Sequence, residues 1–252
     1  MPIVGVINQK GGVGKTTTAV NLAAALAESR RILVVDLDPQ ANATSGLGVV
    51  EPERTIYDVL VGEVPARQAV RRSGTPNLSV LPASVDLAGA AVELDASSED
   101  LLLLDRALIG VRPNYDFVVV DAPPSMGSLT LNALAAADLL IVPLQTEYYA
   151  LEGIAGMIET VERVRGSLNP DLRILGILLT MFDSRTRLSQ QVEENVRAHF
   201  GDEVFETVIP RNVRLAEAPS YGQPIFAYAA TSQGANAYRA LAEEVLVRVS
   251  QG

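Results

Sequence analysis

Short apolar stretches alternate with longer segments of helical pattern along this 252-residue chain. Six of these stretches have the composition of strands buried on both faces, and a weaker seventh follows; in order they are residues 3–7, 32–35, 78–81, 117–120, 139–142, 174–179 and, as the weaker one, 204–209. Helical segments lie between them, at residues 17–27, 83–94, 100–109, 129–136, 149–164, 189–200 and 234–249. This alternation predicts an α/β fold with a single doubly wound, mostly parallel sheet and helices on both faces.

The chain contains no linker rich in proline, glycine or serine, no internal repeat and no low-complexity tract. Because a doubly wound sheet can use a chain of this length as one unit, we expect residues 1–252 to form a single domain. Sheets of this type bind their ligands at the carboxyl ends of the strands. Functional residues are therefore expected where the apolar stretches end.

The composition excludes several kinds of site. Without cysteine the chain cannot form disulfides, a cysteine-based zinc site or a thiolate-bound iron–sulfur cluster. The single histidine, His199, excludes histidine-rich metal sites and a Ser-His-Asp triad, and we assign it no chemistry. No apolar run approaches the roughly 18 residues of a membrane-spanning helix, and no secretion leader is present. We expect a cytoplasmic protein without a membrane partner.

A glycine-rich loop joins the first predicted strand to the first predicted helix. The residues that we expect to bind a nucleotide there are Lys10, Gly11, Gly12, Val13, Gly14, Lys15, Thr16 and Thr17. The N–H groups of such a loop and the positive end of the following helix can surround phosphates. Lys15 can then reach the outer phosphates, and the Thr16 hydroxyl can bind Mg²⁺. A dinucleotide-binding loop fits less well because its third glycine would fall on Thr17, and a ligand-free turn leaves the Gly-Lys-Thr sequence unexplained.

Lysine occurs only at Lys10 and Lys15, whereas arginine occurs 18 times. The usual phosphate-binding loop would have its first glycine at Gln9, and here a lysine follows that position instead. The resulting Lys-Gly-Gly-Val-Gly-Lys-Thr sequence resembles the deviant Walker A motif of the ParA/MinD family of ATPases. The resemblance implies a P-loop ATPase fold, with ATP and Mg²⁺ as cofactors. It also implies an ATP-dependent homodimer in which Lys10 reaches the nucleotide of the other subunit and acts, with Lys15, in catalysis.

Two of the predicted strands run directly into aspartates. The second leads into Asp36 and Asp38, and the fourth leads into Asp121. An apolar strand that ends in aspartate beside a phosphate-binding loop is the Walker B arrangement, in which Asp121 holds Mg²⁺ directly or through a water molecule. A carboxylate that caps the following turn is the other interpretation of Asp121, and it is compatible with the first. Asp36 and Asp38 share a face if the strand continues and diverge if a turn begins between them.

The sequence Asp-Leu-Asp-Pro-Gln at residues 36–40, followed by Ala-Asn-Ala-Thr, resembles the ParA/Soj partition ATPases in particular. The resemblance implies that Asp38 orients the attacking water and that Asp36 supports the metal or its waters. Residues 40–48 and 122–128 are rich in small and polar side chains. They are expected either to be switch loops that become ordered around the γ-phosphate or to be ordinary strand-to-helix connections.

The most specific resemblance to the same family lies at residues 209–220, which read Ile-Pro-Arg-Asn-Val-Arg-Leu-Ala-Glu-Ala-Pro-Ser. The resemblance extends over essentially the whole chain. It implies that Pro210 and Asn212 border the adenine, with Asn212 offering a donor and an acceptor to the base. Taken from the residues alone, Asn212 is also well suited to cap the helix that follows it.

The net charge of −10 argues against a generally basic surface for nucleic acid. The family resemblance nevertheless implies that the ATP-bound dimer binds double-stranded DNA without sequence preference. Residues 160–252 carry ten arginines against eleven acidic residues, so most of the negative charge lies in the first 159. Contacts with DNA phosphates need only a local cluster of cations. The candidates are Arg185 and Arg214, followed by Arg187 and Arg211.

The function that the resemblance implies is an Mg-dependent ATPase that acts as a switch in DNA segregation. It would associate with the nucleoid and release it after hydrolysis stimulated by a ParB-like centromere-binding protein. Only seven residues precede Asn8, so we expect no N-terminal helix-turn-helix domain.

A MinD-like positioning ATPase and a metabolic ligase on the same fold remain the alternatives. The first would need a basic amphipathic C-terminal helix, whereas residues 240–252 carry no excess of basic side chains. The second fits the phosphate-binding loop but leaves residues 36–40 and 209–214 unexplained. A nitrogenase-reductase-like electron donor would need cysteines, which the chain lacks.

Overall fold

The computed structural model describes residues 1–93, 100–148 and 150–251. Within these ranges the strands are β1 (Ile3–Val6), β2 (Ile32–Asp36), β3 (Arg71–Arg72), β4 (Leu78–Leu81), β5 (Phe117–Asp121), β6 (Leu139–Gln145) and β7 (Arg173–Thr180). They form one sheet in the order β3-β4-β2-β5-β1-β6-β7. All neighbouring strands run parallel except β3, which pairs antiparallel with β4. The predicted mostly parallel, doubly wound sheet is confirmed.

The α-helices of the described ranges are α1 (Lys15–Leu26), α2 (Asn42–Gly46), α3 (Ile56–Leu60), α4 (Ala66–Ala69), α5 (Leu87–Glu93), α6 (Leu103–Leu108), α7 (Ser128–Ala136), α8 (Ala150–Ser167), α9 (Arg187–Phe200), α10 (Val213–Glu217), α11 (Ile225–Tyr228) and α12 (Gln233–Gln251). Side chains from α3 to α8 pack on one face of the sheet. Those of α1, α2 and α10 to α12 pack on the other face. A smaller cluster joins α8 and α9 to β7 at the edge.

The central strands are apolar at nearly every position because both of their faces are covered. In β2, Leu33 and Val35 belong to the core on one side, whereas Ile32 and Val34 belong to the core on the other. Every residue of β1, β2 and β5 is buried. Side chains alternate between the two faces of a strand, so a strand sandwiched between helices needs apolar residues throughout.

Two strand predictions differ from the structure. The short edge strand β3 was not predicted, because its two arginines carry no apolar signal. Residues 204–209 were predicted as a strand, and this is wrong: only isolated bridges, such as Ile177 to Val204, connect this segment to β7. The backbone N–H groups of Glu206 and Thr207 donate instead to the Glu244 carboxylate of α12, at 2.8 and 2.9 Å. This side chain takes the place of a neighbouring strand.

Helix boundaries shift by a few residues for local reasons. Helix α1 begins at Lys15 rather than at residue 17, because Gly14 already accepts a hydrogen bond from Thr18 N at 2.9 Å. The predicted helix at 83–94 begins only at Leu87, after a turn, and its predicted end at residue 94 lies outside the described residues. Residue 149, the predicted start of α8, also lies outside the described residues. The segment 100–109 divides into a 3₁₀ turn followed by α6.

The C-terminal helix α12 packs against α1, the helix that follows the glycine-rich loop. The fully buried Tyr238 lies 3.2 Å from the Thr18 hydroxyl, oxygen to oxygen. Leu241 and Val245 are buried on the same side. As for membranes, none of the helices described here combines the length and the apolar character needed to cross one.

Gly176 of β7 offers a test of this packing. A Cβ atom at this position would lie 2.6 Å from Cε2 of Phe205 and 3.0 Å from the Arg248 guanidinium. The Phe205 ring is fully buried, and Arg248 stacks over it at 4.4 Å, so neither group can easily move. We expect Gly176→Ala to lower the free energy of unfolding by about 1–3 kcal/mol in urea titrations. Gly166→Ala in α8, where nothing lies within 4 Å, is the control; equal losses in both variants would contradict the packing argument.

Candidate functional site

The carboxyl ends of three neighbouring strands bring the predicted aspartates together. Strand β5 lies between β1 and β2, and its last residue, Asp121, is opposite both Val6 and Asp36. Asp36 and Asp121 are completely buried, and Asp38 is nearly so. The glycine-rich loop leaves β1 at the same edge of the sheet. The sequence-predicted P-loop and carboxylates therefore occupy one site.

Hydrogen bonds from buried polar side chains hold the glycine-rich loop to β6 and β7. Asn8 accepts from the backbone N–H of Lys10 at 2.9 Å and donates from Nδ2 to the carbonyl of Pro143 at 2.7 Å. Thr180, at the end of β7, donates to the carbonyl of Val13 at 2.8 Å. The loop is thus fixed on both sides before α1 begins.

The loop conformation explains two of its glycines. Gly12 and Gly14 have φ angles of 76° and 88°, in the left-handed region that glycine enters without steric cost. Gly14 stands directly before the first residue of α1. A side chain at either position would strain the turn that brings the loop onto the N-terminus of the helix.

Lys15 is buried at the centre of the site, with 6% of its surface exposed. Its Nζ donates to the backbone carbonyl of Lys10 at 2.9 Å. Burial lowers the pKa of this ammonium group, and the nearby carboxylates of Asp121 and Asp38 raise it in opposition. The cation therefore sits between the loop and two carboxylates.

Asp121 is the most unusual group in the site. Within the described part of the chain, neither of its carboxylate oxygens has a hydrogen-bond partner. Burial raises its pKa well above the ordinary value and the charge of Asp36 raises it further, whereas the Thr16 hydroxyl and Lys15 oppose this. Thr16 is close enough to act on that pKa, yet it lies outside hydrogen-bond geometry. Buried polar atoms are almost always hydrogen-bonded, so a buried carboxylate without such partners is suited to bind a cation.

These residues fit a magnesium ion. Mg²⁺ prefers oxygen ligands and is often held by one or two carboxylates together with substrate phosphates. Asp121 and the hydroxyl of Thr16 supply such oxygens.

Asp36 and Asp38 diverge, because β2 ends at Asp36 and a turn begins there. The Asp36 carboxylate accepts from the backbone N–H and the hydroxyl of Thr44, at 2.8 and 2.7 Å, and from the N–H of Asp38 at 3.1 Å. Burial raises the pKa of Asp36 to about 6, and these hydrogen bonds oppose the rise. Asp38 accepts from the N–H of Gln40 at 2.9 Å. Asp36 thus fastens the segment 40–48 to the sheet, whereas Asp38 lies beside Lys15.

Pro210 and Asn212 line a cavity of about 290 Å³ next to the glycine-rich loop. The cavity wall also includes Gly14, Thr17, Thr180, Met181, Leu215 and Tyr238. Asn212 caps α10, since its Oδ1 accepts from the N–H of Arg214 at 2.9 Å, so the helix-cap interpretation is confirmed. The two residues do lie beside the P-loop.

Lys10 is held near the end of β6. Its Nζ forms an ion pair with Glu147 at 2.9 Å, and both side chains are about half exposed. Glu147 in turn accepts from the side-chain amide of Gln145. The two lysines of the chain therefore differ sharply, one being buried in the site and the other lying at its surface.

The four candidate arginines are exposed. Arg185 hydrogen-bonds to Asp183 and lowers its pKa, and the charge of Arg211 lowers that pKa further. Arg187 is the first residue of the following helix, α9. Arg214 lies on α10 and pairs with Glu217 at 2.8 Å.

Three further residues at the site were not singled out from the sequence, namely Asn8, Thr44 and Glu147. Thr44 lies within the predicted switch segment, and Asn8 is part of the loop sequence, so both carried a positional signal. Glu147 carried none, because its contact with Lys10 spans 137 positions of sequence.

The chain is similar to proteins whose family is known. A family model described as an AAA domain matches residues 1–174. The chain is 58% identical over 249 residues to the chromosome-partitioning ATPase Soj of Thermus thermophilus, covering 98% of this chain and 96% of that protein. It is 51% identical to the sporulation initiation inhibitor protein Soj of Bacillus subtilis, covering 96% and 97%. The chain belongs to the ParA/Soj family of partition ATPases.

Solved structures agree with the ParA/Soj fold. The cell division ATPase MinD of Pyrococcus furiosus superposes with a TM-score of 0.82 at 27% identity, covering 98% of each chain. A cobyrinic acid a,c-diamide synthase from Mycobacterium smegmatis, solved with ADP and magnesium, gives 0.87 at 38% identity and covers 100% of this chain and 96% of that one. The ParA/MinD resemblance and the P-loop ATPase fold inferred from the sequence are confirmed.

The unpartnered carboxylate predicts an unusual stability effect. Because burial raises the pKa of Asp121, its protonated form is favoured in the folded protein, and its ionisation costs stability increasingly as the pH rises. Without nucleotide and metal, Asp121→Asn should therefore be more stable than the wild type by about 1–3 kcal/mol at neutral pH. The gain should shrink toward about pH 4. Thermal unfolding across this pH range measures it.

The exposed Asp171 provides the control for this prediction, since Asp171→Asn removes a carboxylate that remains in water. This variant should leave the pH dependence unchanged. An Asp121→Asn variant that is less stable than the wild type at neutral pH would show that the carboxylate is satisfied in the folded protein.

Proposed function

We propose that this protein is an ATP-dependent molecular switch for DNA segregation. ATP binding produces a homodimer, the dimer binds nucleoid DNA without sequence preference, and Mg-dependent hydrolysis releases it. A ParB-like centromere-binding protein stimulates that hydrolysis. The observation that carries the proposal is the buried Asp121 near Lys15 and Thr16, whose carboxylate has no hydrogen-bond partner among the described residues, in a chain 58% identical to a chromosome-partitioning ATPase.

Phosphate binding follows from the position of Lys15. Its ammonium group donates to the backbone carbonyl of Lys10, and a phosphate oxygen is a stronger, charge-assisted acceptor for the same proton. The N–H groups at the start of α1 and their partial positive charge add to this attraction. Residues 10–17 are thus proposed to hold the triphosphate.

Asp121 and Thr16 would hold Mg²⁺, with Asp36 behind them as support. A metal ion held there would supply positive charge to offset the charge that develops on the phosphate oxygens during transfer. Asp36 would keep the segment 40–48 in place through Thr44, since Thr44 Oγ1 also accepts from the N–H of Ala83 at 2.9 Å. The site would therefore sense the γ-phosphate through a segment already tied to the sheet.

Asp38 is proposed to orient the attacking water. It comes after the strand end, in the turn, and it acts electrostatically on Lys15. Phosphoryl transfer needs placement of the nucleophile and stabilisation of charge more than covalent chemistry, and a positioned carboxylate supplies the first.

The 290 Å³ cavity beside Gly14 and Thr17 is proposed to receive the adenine. Pro210 would pack on the base. Asn212 has its Oδ1 committed to the α10 cap, which fixes the orientation of the amide and sets its Nδ2 as the remaining donor.

Lys10 is proposed to act across the dimer, where it would leave Glu147 for the nucleotide of the other subunit. An exposed ion pair of this kind is worth little, so the exchange is readily reversible. Dimerisation would also double the arginine surface formed by Arg185, Arg187, Arg211 and Arg214. Two weak patches on one particle bind DNA far better than either alone.

The alternatives are less well supported. A MinD-like membrane role needs a free amphipathic C-terminal helix, whereas Tyr238, Leu241 and Val245 of α12 are buried in the core that this helix shares with α1. The structural neighbour described as an amide synthase is 38% identical, well below the identity to the partition ATPases. ATPase assays with and without duplex DNA discriminate, because a metabolic enzyme would neither bind DNA nor dimerise with ATP.

Asp38→Ala should retain ATP binding and lose turnover. Removal of a water-positioning carboxylate is expected to lower kcat by about 100-fold or more, whereas the dissociation constant for ATP should change little. Steady-state ATPase assays and equilibrium nucleotide binding measure the two effects separately. Asp86→Ala, at an exposed turn, serves as the control; normal kcat in Asp38→Ala would assign the role to another residue.

Lys10→Ala should bind ATP and remain monomeric. For the wild type, we expect sedimentation to show a dimer only when ATP is present. Retention on duplex DNA should be seen only under the conditions that give the dimer. Both should be lost in Lys10→Ala, because the cation that bridges the subunits is gone. Arg30→Ala, which removes another exposed cation, is the control. Full dimerisation of Lys10→Ala with ATP would exclude a role for this lysine across the interface.

A further inference from the structure

We propose that Asp183 limits the strength of the DNA interaction by occupying the guanidinium group of Arg185. This inference rests on the proposed DNA binding and names a residue that sets its affinity. The carboxylate would act as an internal substitute for a DNA phosphate, keeping the Arg185–Asp183 pair at zero net charge until DNA displaces the carboxylate.

The Arg185–Asp183 contact has the geometry of a phosphate contact. Nε of Arg185 donates to Oδ1 at 2.8 Å, and Nη2 donates to Oδ2 at 2.7 Å. This two-pronged arrangement is the one by which guanidinium groups recognise carboxylates and phosphates alike. The edge of Arg185 best suited to a DNA phosphate is therefore already in use.

The burial of the two partners differs. The Arg185 side chain is 84% exposed, whereas that of Asp183 is 19% exposed. The arginine lies outermost and covers the carboxylate, so DNA can reach the guanidinium first. Exposed ion pairs are weak, and a phosphate can compete for this one.

The surroundings of Asp183 are otherwise cationic. Arg211 adds to the attraction that Arg185 exerts on it, and together they hold the pKa of Asp183 at about 2, so the carboxylate stays ionised at any physiological pH. Arg187 lies two residues beyond Arg185 at the start of α9. Neither Arg187 nor Arg211 forms a side-chain ion pair within the described ranges. Asp183 therefore places one negative charge beside two of the candidate arginines, Arg185 and Arg211.

The second arginine–carboxylate pair is a poorer candidate. Glu217 pairs with Arg214 at 2.8 Å, but the same oxygen also accepts from the Tyr228 hydroxyl at 3.0 Å. Glu217 thereby joins α10 to α11, and its removal would disturb packing as well as charge. Asp183 gives the cleaner experiment.

The test is Asp183→Asn, which removes the charge but keeps an oxygen that can accept from the backbone N–H of Arg185, as Asp183 does at 3.1 Å. Duplex binding is measured between about 50 and 200 mM salt, with ATP, ADP and no nucleotide. One released arginine should raise the affinity with ATP about fivefold to tenfold near 0.1 M salt and steepen the log–log salt slope by about 0.9 per contact.

Asp171→Asn is the matched control. It makes the same change in net charge before the start of β7, whereas Asp183 follows its end. It should alter the affinity less than twofold, since screening weakens charges that lie far from the contact. Arg185→Ala, alone and combined with Asp183→Asn, closes a double-mutant cycle. In the Arg185→Ala background, the gain from Asp183→Asn should fall to that of the control.

Two results would overturn the proposal: an Asp183→Asn variant that binds no more tightly than Asp171→Asn, or a gain that persists without Arg185. The proposed switch fails separately, if wild-type binding is the same in all three nucleotide conditions. If the wild type binds no duplex at the lowest salt, the proposed DNA binding of the wild type fails. The binding of Asp183→Asn under the same conditions still tests whether Asp183 masks Arg185. Binding gained by Asp183→Asn alone would then support its masking role, and no binding would overturn it.

Discussion

The register of β2 and β5 places two aspartates side by side in the interior of the protein, and the rest of the site is built around that charge. Parallel pairing sets Asp36 opposite Asp121 at the point where both strands end. Two buried carboxylates repel each other and lose their hydration, so each needs a partner. Asp36 finds three N–H or O–H donors. Asp121 has none in the described structure. Asp36 therefore has a structural role, and Asp121 is the carboxylate that we propose to bind the metal.

The two carboxylates differ in how the structure uses them: Asp36 accepts several hydrogen bonds that hold a neighbouring segment, whereas Asp121 accepts none among the described residues. Asp36 ties α2 to the sheet through Thr44, while Asn8 and Thr180 fix the glycine-rich loop from the other side. Between these anchored segments, Lys15 rests on a backbone carbonyl that it can exchange for a ligand. The unfavourable burial of Asp121 is therefore surrounded by segments that hydrogen bonds hold in place.

Much of this could be predicted from the sequence, because its signals are local. Apolar runs marked the six main strands, and the Gly-Lys-Thr sequence and the strand-end aspartates marked the site. The failures concern long-range contacts. Residues 204–209 look like a strand, but the N–H groups of Glu206 and Thr207 donate to Glu244, some 40 positions away. Likewise, no local pattern reveals that Glu147 holds Lys10, or which of Asp36 and Asp121 lacks donors. The roles of the individual site residues remain predictions.

The contact between Thr18 and Tyr238 has a consequence for the order of events during synthesis. The helix that follows the P-loop is among the first segments to leave the ribosome, and α12, which packs on it, emerges after the other described helices and strands. Their contact joins residues 220 positions apart, and the cavity beside the loop draws its walls from residues between 180 and 238. A nascent chain cannot complete this pocket until its C-terminal helix has emerged. The cavity beside the loop is thus completed late in synthesis, after Tyr238 has emerged, and shorter nascent chains lack its full wall.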